Sequence, residues 1–311
     1  MKHLILGAGN LGRDLLLEIN ARRMGEPELL SKSKGVDCTN MDSMFQAIER
    51  AKPNYVWYCV GGGSVSESKR GSPHAEQSLL LNLKAPMFLN DHLDENIKLV
   101  VFSSDYVADE SRPDASFANV REARSVYAEL KRSLELYMLA NQRKNTSIIR
   151  VGSLYGVHKP ENTFPGKIVR NFGFSDTKIK LPSNIVVPTP TRWLAGMLIQ
   201  HLDQLCPDWG TSIEHVAPTG GITVKDWAMF VLEGLRDSSA FDWGKDFFDL
   251  QRPLFSGLNC SLSKEQVHWF DLWKLYYHPD WFTPREFKDQ LPEALKYKPK
   301  PVIEKEESER L

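Results

Sequence analysis

An open, doubly wound α/β fold on a parallel sheet, followed by a smaller mixed α/β lobe, is the architecture this 311-residue sequence predicts. Three observations point to it. Short β-rich runs alternate with amphipathic stretches as far as about Gly152. Those runs are mostly apolar on both sides of the pleat, as in a parallel sheet covered by helices on each face. A glycine-rich turn joins the first run to the first amphipathic stretch, and alternation at this spacing makes βαβ units.

The strands are expected at Lys2–Leu6, Glu28–Leu30, Asn54–Val60, Lys98–Ser103 and Thr146–Val151. Between them, helices are expected at Leu11–Arg23, Asp42–Ala51, His74–Leu89 and Ser125–Asn141. After Gly152 the texture changes. Prolines cluster (Pro160, Pro165, Pro182, Pro188, Pro190), and tryptophans concentrate, among them Trp193, Trp209, Trp227, Trp243, Trp269, Trp273 and Trp281. Helices are expected there at Trp193–Leu202, Val224–Leu235 and Thr283–Gln290. The expected division is a dinucleotide-binding domain over 1–152, a substrate-binding lobe over 153–297 with some chain returning to the sheet, and a flexible charged tail over 298–311.

Composition narrows the function classes. Hydrophobic residues make up 41% and charged residues 25%, an ordinary globular balance. With 39 Lys+Arg against 40 Asp+Glu there is no basic field to hold nucleic acid or an anionic membrane. No apolar run approaches the ~20 residues of a membrane span, and the apolar start at Met1–Leu6 is too short for a secretory signal. The four cysteines (Cys38, Cys59, Cys206, Cys260) form no CxxC pair, and the eight histidines show no HxH or HExxH spacing. Neither a metal site nor a disulfide framework is expected, and a reducing, cytoplasmic setting fits.

Gly7-Ala8-Gly9-Asn10-Leu11-Gly12 lies between a strand and a helix, the context a dinucleotide-binding turn requires. Glycine serves there for the tight turn, for close approach of backbone to a pyrophosphate and for helix–strand contact, and the helix N-terminus faces the phosphates. A Rossmann-type sheet follows, with Gly7, Gly9, Asn10, Leu11 and Gly12 as cofactor residues. After the second strand comes Ser31-Lys32-Ser33-Lys34, with no carboxylate until Asp37. Hydroxyls and ammonium groups suit a 2′-phosphate, so Ser31 and Lys32 favour NADP(H) over NAD(H), with Asp37 placed toward the adenine. The alternative is a solvated basic turn. Val60 and Gly61, closing the third strand, are expected beside the nicotinamide.

Tyr127 and Lys131 stand i,i+4 at the start of the long predicted helix, on one face about one turn apart. A nearby ammonium stabilises a phenolate and lowers the tyrosine pKa. Ser103-Ser104-Asp105-Tyr106 ends the fourth strand, at the carboxyl edge where open α/β sheets bind ligands. Because side chains alternate along a strand, only one of Ser103 and Ser104 is expected to face the site.

In this order these motifs resemble the extended short-chain dehydrogenase/reductase superfamily, and within it most nearly the dTDP-4-dehydrorhamnose reductases. Ser103–Val107 resembles the family's Ser-Thr-Asp-Tyr-Val strand end, and Tyr127 with Lys131 matches its catalytic pair. Ile148–Gly156, Asn162-Thr163-Phe164, Pro188-Thr189 before Ala195, and Arg252-Pro253 with Ser256, Leu258 and Asn259 resemble later elements. The resemblance implies hydride transfer from a reduced nicotinamide to the C4 ketone of a nucleotide-linked 4-keto-6-deoxysugar. It makes Tyr127 the general acid, Lys131 its tuning group and ribose ligand, and Ser104 the hydrogen-bond partner of the carbonyl. Ser103, Asp105, Tyr106, Asn162 and Arg252 become substrate-binding candidates. The two helices His74–Leu89 and Ser125–Asn141 are where relatives pair into homodimers.

The sequence departs from the family at several points. The turn is Gly-x-Gly-x-x-Gly rather than Gly-x-x-Gly-x-x-Gly, and the third strand ends Cys59-Val60-Gly61-Gly62-Gly63-Ser64 in place of an Asn-Ala-Ala type. Ser66–Arg70 replaces an acidic pair, and Asn184-Ile185-Val186 replaces Asp-Gln. Two other functions share the scaffold: a nucleotide-sugar epimerase or dehydratase, and a non-catalytic NADP-binding regulatory subunit similar to that of methionine adenosyltransferase.

Overall fold

The computed structural model describes residues 1–61, 68, 71–107, 125–159, 162–173, 185–218 and 222–236. Six parallel strands form the main sheet in the order β2-β1-β3-β4-β5-β9. They are β1 (Lys2–Leu6), β2 (Glu26–Leu30), β3 (Tyr55–Tyr58), β4 (Lys98–Ser104), β5 (Thr146–Val151) and β9 (Thr211–Val216). The order reverses at β1 and β3, so the crevice at the strands' carboxyl ends is the ligand position in such sheets.

Each strand is buried on both faces because its alternate residues feed two separate cores. Ile5, Trp57, Val100 and Ile149 pack with Leu11, Leu15 and Ile19 of α1 (Asn10–Ala21) and with Leu194 and Leu198 of α7 (Thr191–Gln200). Leu4, Leu6, Val56, Leu99, Val101 and Ile148 pack with Met44 and Ile48 of α2 (Met41–Ala51), Leu89 of α4 (Ala85–His92), and Leu134 and Met138 of α5 (Val126–Asn141). Each fully buried Leu or Ile contributes about 1.5–3 kcal/mol relative to exposure. Local signals set the helix starts: the Asn40 side chain accepts from Ser43 N at 3.0 Å, and Ser125 Oγ accepts from Ala128 N at 3.2 Å.

Two expectations change. The helix foreseen over His74–Leu89 is α3 (Ala75–Leu79), a π-helical turn (Leu80–Lys84) and then α4, running on to His92. Pro86 accounts for the turn: its ring would clash with the carbonyl four residues back, at Asn82, and widening the helix relieves that conflict. β2 begins two residues earlier than expected, at Glu26, and includes Pro27; a proline is tolerated because β2 is an edge strand. The sixth strand, β9, pairs along β5 from Thr146↔Thr211 to Val151↔Val216, so chain does return to the sheet.

The part of the chain after β5 carries β6 (Ser153–Tyr155) parallel to β8 (Pro188–Pro190), and β7 (Ile185–Val186) antiparallel to β10 (Ile222–Thr223). It also contains α6 (Phe164–Gly173), which the sequence analysis did not foresee, and α8 (Val224–Arg236). Its core is Tyr155, Ile168, Trp227, Ala228 and Val231, with the Tyr155 and Trp227 rings 5.7 Å apart. The expected helix Thr283–Gln290, the tail 298–311, Arg252 with its neighbouring motif, and Trp243, Trp269, Trp273 and Trp281 lie outside the described residues.

Candidate active site

The glycine turn at the end of β1 has the shape its sequence demands. Gly7 has φ of +107°, and a Cβ on Gly12 would fall 2.0 Å from the Gly7 carbonyl oxygen. A larger residue at Gly12 forces β1 and α1 apart, and one at Gly7 is strained by its positive φ and presses on Cys59 and Val60 after β3. Gly9, by contrast, faces open space, with nothing within 4 Å of where its Cβ would stand. It caps α1 without a side-chain acceptor, and the first turn holds no acidic residue. Backbone N–H groups beside open space and free of carboxylates fit a pyrophosphate.

Leu11 is buried in the core, leaving only its backbone for a ligand. The Asn10 side chain is committed elsewhere: it donates to Lys159 O at 3.2 Å and accepts from Lys159 N at 2.7 Å. Nearby, Asp14 accepts from Thr191 Oγ1 at 2.6 Å and pairs with His158 Nε2 at 3.1 Å. These bonds strap the segment after β6 over the start of α1, a link between distant residues that spacing alone did not reveal.

Beyond β2, a 3₁₀ turn (Lys32–Lys34) closes on Gly35, whose φ is +81°. Ser31 Oγ and Ser33 Oγ are 3.0 Å apart, and Lys32 Nζ lies 2.8 Å from Asp37 Oδ2. The Lys32 bond, joined by Thr39 N and Oγ1 on Asp37 Oδ1, holds the Asp37 carboxyl down to about 2. Val60 packs against Gly7, while Gly61 is exposed. Gly62–Ser64, the Ser66, Glu67, Lys69 and Arg70 positions, and Asn184 lie outside the described residues. Burial pushes the Cys59 thiol far above its ordinary range, away from the thiolate form.

At the carboxyl ends of β4 and β5 is a cavity of about 190 Å³ whose lining includes Ser103, Ser104, Asp105, Tyr106 and Tyr127. Ser103 and Ser104 are both buried residues of its lining, and the 3₁₀ turn Asp105–Val107 begins immediately after Ser104. Ser104 Oγ donates to Asp105 Oδ1 at 3.0 Å and accepts from Tyr106 N at 3.2 Å. Tyr106, 51% exposed, meets the Tyr127 ring edge-on, with centroids 6.5 Å apart.

Lys131 is 5% exposed; its Nζ donates to Phe102 O at 2.9 Å and lies 5.8 Å from the Tyr127 ring centroid. Burial lowers its pKa to about 8, against the opposing pull of Glu135. The expected lowering of Tyr127 by this ammonium is not what the geometry gives. Burial first, and then the Asp105 carboxylate, push Tyr127 up to about 12, while a hydrogen bond with Ser104 pulls the other way. Asn162 is exposed at the entry to α6, its N donating to Lys159 O at 3.2 Å, and it does not line this cavity. Sequence reasoning also passed over Glu135 and Arg150, which lie buried behind Lys131.

Comparison with known proteins gives three findings. The RmlD substrate binding domain family matches residues 1–274. No curated protein matches the chain by sequence. Among solved structures, dTDP-4-dehydrorhamnose reductase from Bacillus anthracis in complex with NADP superposes with TM-score 0.63 at 23% identity, over 76% of this chain and 81% of that one. The ortholog from Clostridium acetobutylicum gives 0.64 at 23% identity, with the same coverage. A Thermus thermophilus UDP-glucose 4-epimerase complexed with NAD gives 0.63 at 15% identity, over 88% of this chain and 99% of that one. At these identities the superpositions establish the fold.

Proposed function

This chain belongs to the RmlD substrate binding domain family, and from that premise we propose an NADP(H)-dependent reductase acting on the C4 ketone of a nucleotide-linked 4-keto-6-deoxysugar. The observation that carries this reading is that Ser104 and Tyr127 line one cavity on the carboxyl edge of the sheet, with the Lys131 ammonium 5.8 Å from the Tyr127 ring centroid. When bound, the dihydronicotinamide supplies the hydride. The backbone of Gly7–Gly12 holds the pyrophosphate, and Ser31 with Lys32 takes the 2′-phosphate.

Tyr127, kept protonated through the neutral range by burial and by Asp105, hands its proton to the carbonyl oxygen as that oxygen gains negative charge. A phenol near 12 is a weak acid, so this transfer belongs with a developing alkoxide, a far stronger base than the ground-state ketone. Lys131 stabilises the phenolate left behind and reaches the ribose. Ser104 hydrogen-bonds the substrate oxygen once its hydroxyl turns from Asp105. Tyr106 offers an exposed ring face at the cavity mouth.

The test is oxidation of NADPH, then NADH, followed by absorbance with a dTDP-4-keto-6-deoxysugar supplied, in wild type and Tyr127→Phe. Oxidation that prefers NADPH and requires Tyr127 is the expected result. Tight NADPH binding without reduction of any keto-sugar overturns it in favour of a non-catalytic dinucleotide-binding subunit.

A further inference from the structure

We propose that Glu135 is a positioning residue for Lys131: clamped by Arg150 from β5, it keeps the buried ammonium charged and in place beside Tyr127. The proposal rests on the reductase reading only in giving Lys131 its task; the charge relation itself belongs to the folded chain. Glu135 follows Lys131 by one turn of α5, and the two are 1% and 5% exposed. Its carboxylate is fixed by a fork of two bonds, Arg150 Nε to Oε1 at 2.9 Å and Arg150 Nη2 to Oε2 at 2.6 Å.

Packing alone has no need of these charges, since a buried ion pair is often replaced by apolar residues at no cost in stability. What distinguishes this one is the third charge. Without Glu135, two buried cations, Lys131 and Arg150, would share the space between α5 and the sheet. With it, the succession is plus, minus, plus.

The surroundings leave Glu135 as the group that matters. On α5 itself, Tyr127 is neutral, Glu129 is exposed, and the half-buried Arg132 adds a further positive charge, which does not favour a charged Lys131. β4 and its turn bring Ser103, Ser104 and Asp105, and β9 brings His215, the register neighbour of Arg150. Burial and the Arg150 cation push the His215 pKa well below its ordinary range, so it adds no charge. The π turn and α4, packed on another side of α5, carry buried Asn82 and the exposed Lys84, Asp91 and His92. Glu135 is the charged group that opposes the effect of burial on Lys131.

The test needs no substrate. Lysine side-chain NMR on the full chain follows the Lys131 Nζ titration, assigned by its loss in Lys131→Arg. Glu135→Gln lowers the Lys131 midpoint by about one pH unit or more, because an opposing charge is lost. Arg150→Met raises it, because the carboxylate's field is no longer shared. Opposite displacements cannot come from general loosening, which moves both midpoints toward the free-lysine value. If neither variant folds, Glu135→Asp decides: it keeps the charge but withdraws it by one methylene, and a lowered midpoint supports the proposal. Midpoints that stay put, or that both rise, overturn it. Failure to reduce a keto-sugar bears on the proposed function and leaves this measurement intact.

Discussion

The same strands end in opposite ways at the two edges of the sheet. On the amino-terminal side, polar groups are used up on one another. The His3 and Tyr55 rings stack with centroids 5.1 Å apart, and those of Tyr55 and Trp57 at 6.0 Å. Trp57 Nε1 donates to His3 Nδ1 at 3.2 Å, Tyr55 OH donates to Leu202 O at 3.3 Å, and Lys98 Nζ donates to Tyr55 OH at 3.0 Å. On the carboxyl side, Gly9 faces empty space and the buried Ser103 Oγ has no hydrogen-bond partner among the described residues. A buried hydroxyl without a partner costs roughly 1–3 kcal/mol. The contrast teaches that the ring cluster at the amino ends pairs its polar groups internally, whereas the carboxyl ends leave a buried hydroxyl and open backbone for a ligand.

A crossed pair of substitutions gives the largest effects and breaks the comparison if it fails. Tyr127→Phe keeps the ring and deletes the proton donor, so turnover falls by about 10²–10⁴-fold. Its stability stays within about 1.5 kcal/mol of wild type, the most that loss of the hydroxyl's bond with Ser104 removes. Trp57→Ala does the reverse: it empties a fully buried site and costs about 3–5 kcal/mol in urea denaturation. The protein that remains folded binds NADPH as wild type does. Equal loss of binding and stability in Trp57→Ala would mean that the two edges are not separable.

A smaller effect sharpens the contrast at the edge strand β9. Burial raises the Glu214 carboxyl to about 7, and its bond with Ser212 only partly offsets this. The folded chain therefore holds this proton where the unfolded chain, titrating near 4.5, has released it. Stability falls as pH rises from about 4.5 to about 7 and then levels off. Glu214→Gln removes that penalty. The variant is more stable than wild type at pH 8 by about 2 kcal/mol, a figure discounted for partial exposure, and equal to it at pH 4. Denaturation at the two pH values decides; an equal difference at both would place the effect in packing instead of charge.

What was legible in the sequence follows the range of the interactions. Strands β1, β4 and β5 announce themselves because burial on both faces writes a continuous apolar run. β9 was hidden, since Glu214 and His215 interrupt its run and each is accommodated by other strands' neighbours. Tyr127 and Lys131 were legible because helical spacing alone brings them together. Glu135 carries the same spacing from Lys131, yet its meaning depends on Arg150, which arrives from a different strand. The Asn10 clamp on Lys159 spans 149 positions, beyond any local pattern. The tyrosine's direction of shift was misjudged for a related reason: spacing identifies the neighbouring ammonium but says nothing about the depth of burial, which outweighs it.

The smallest effect concerns the turn after β2, where the carboxyl edge meets solvent. The Lys32 side chain is 80% exposed and pairs with Asp37. A surface pair of this kind is worth about 0–1 kcal/mol, so Lys32→Ala leaves the denaturation curve where it was. Its ligand effect is selective. Removing the ammonium weakens NADPH by about 5-fold, a figure that shrinks as salt rises, while NADH, with no 2′-phosphate to meet, binds as before. Asp37 stays in place through its two bonds from Thr39, so the loss is one of charge and not of shape. Fluorescence titration of both nucleotides at two salt concentrations reads the ratio directly. A ratio that does not move makes Ser31–Lys34 a solvated turn, and the choice between the two cofactors then has to be made elsewhere along the edge, by groups nearer the glycine turn.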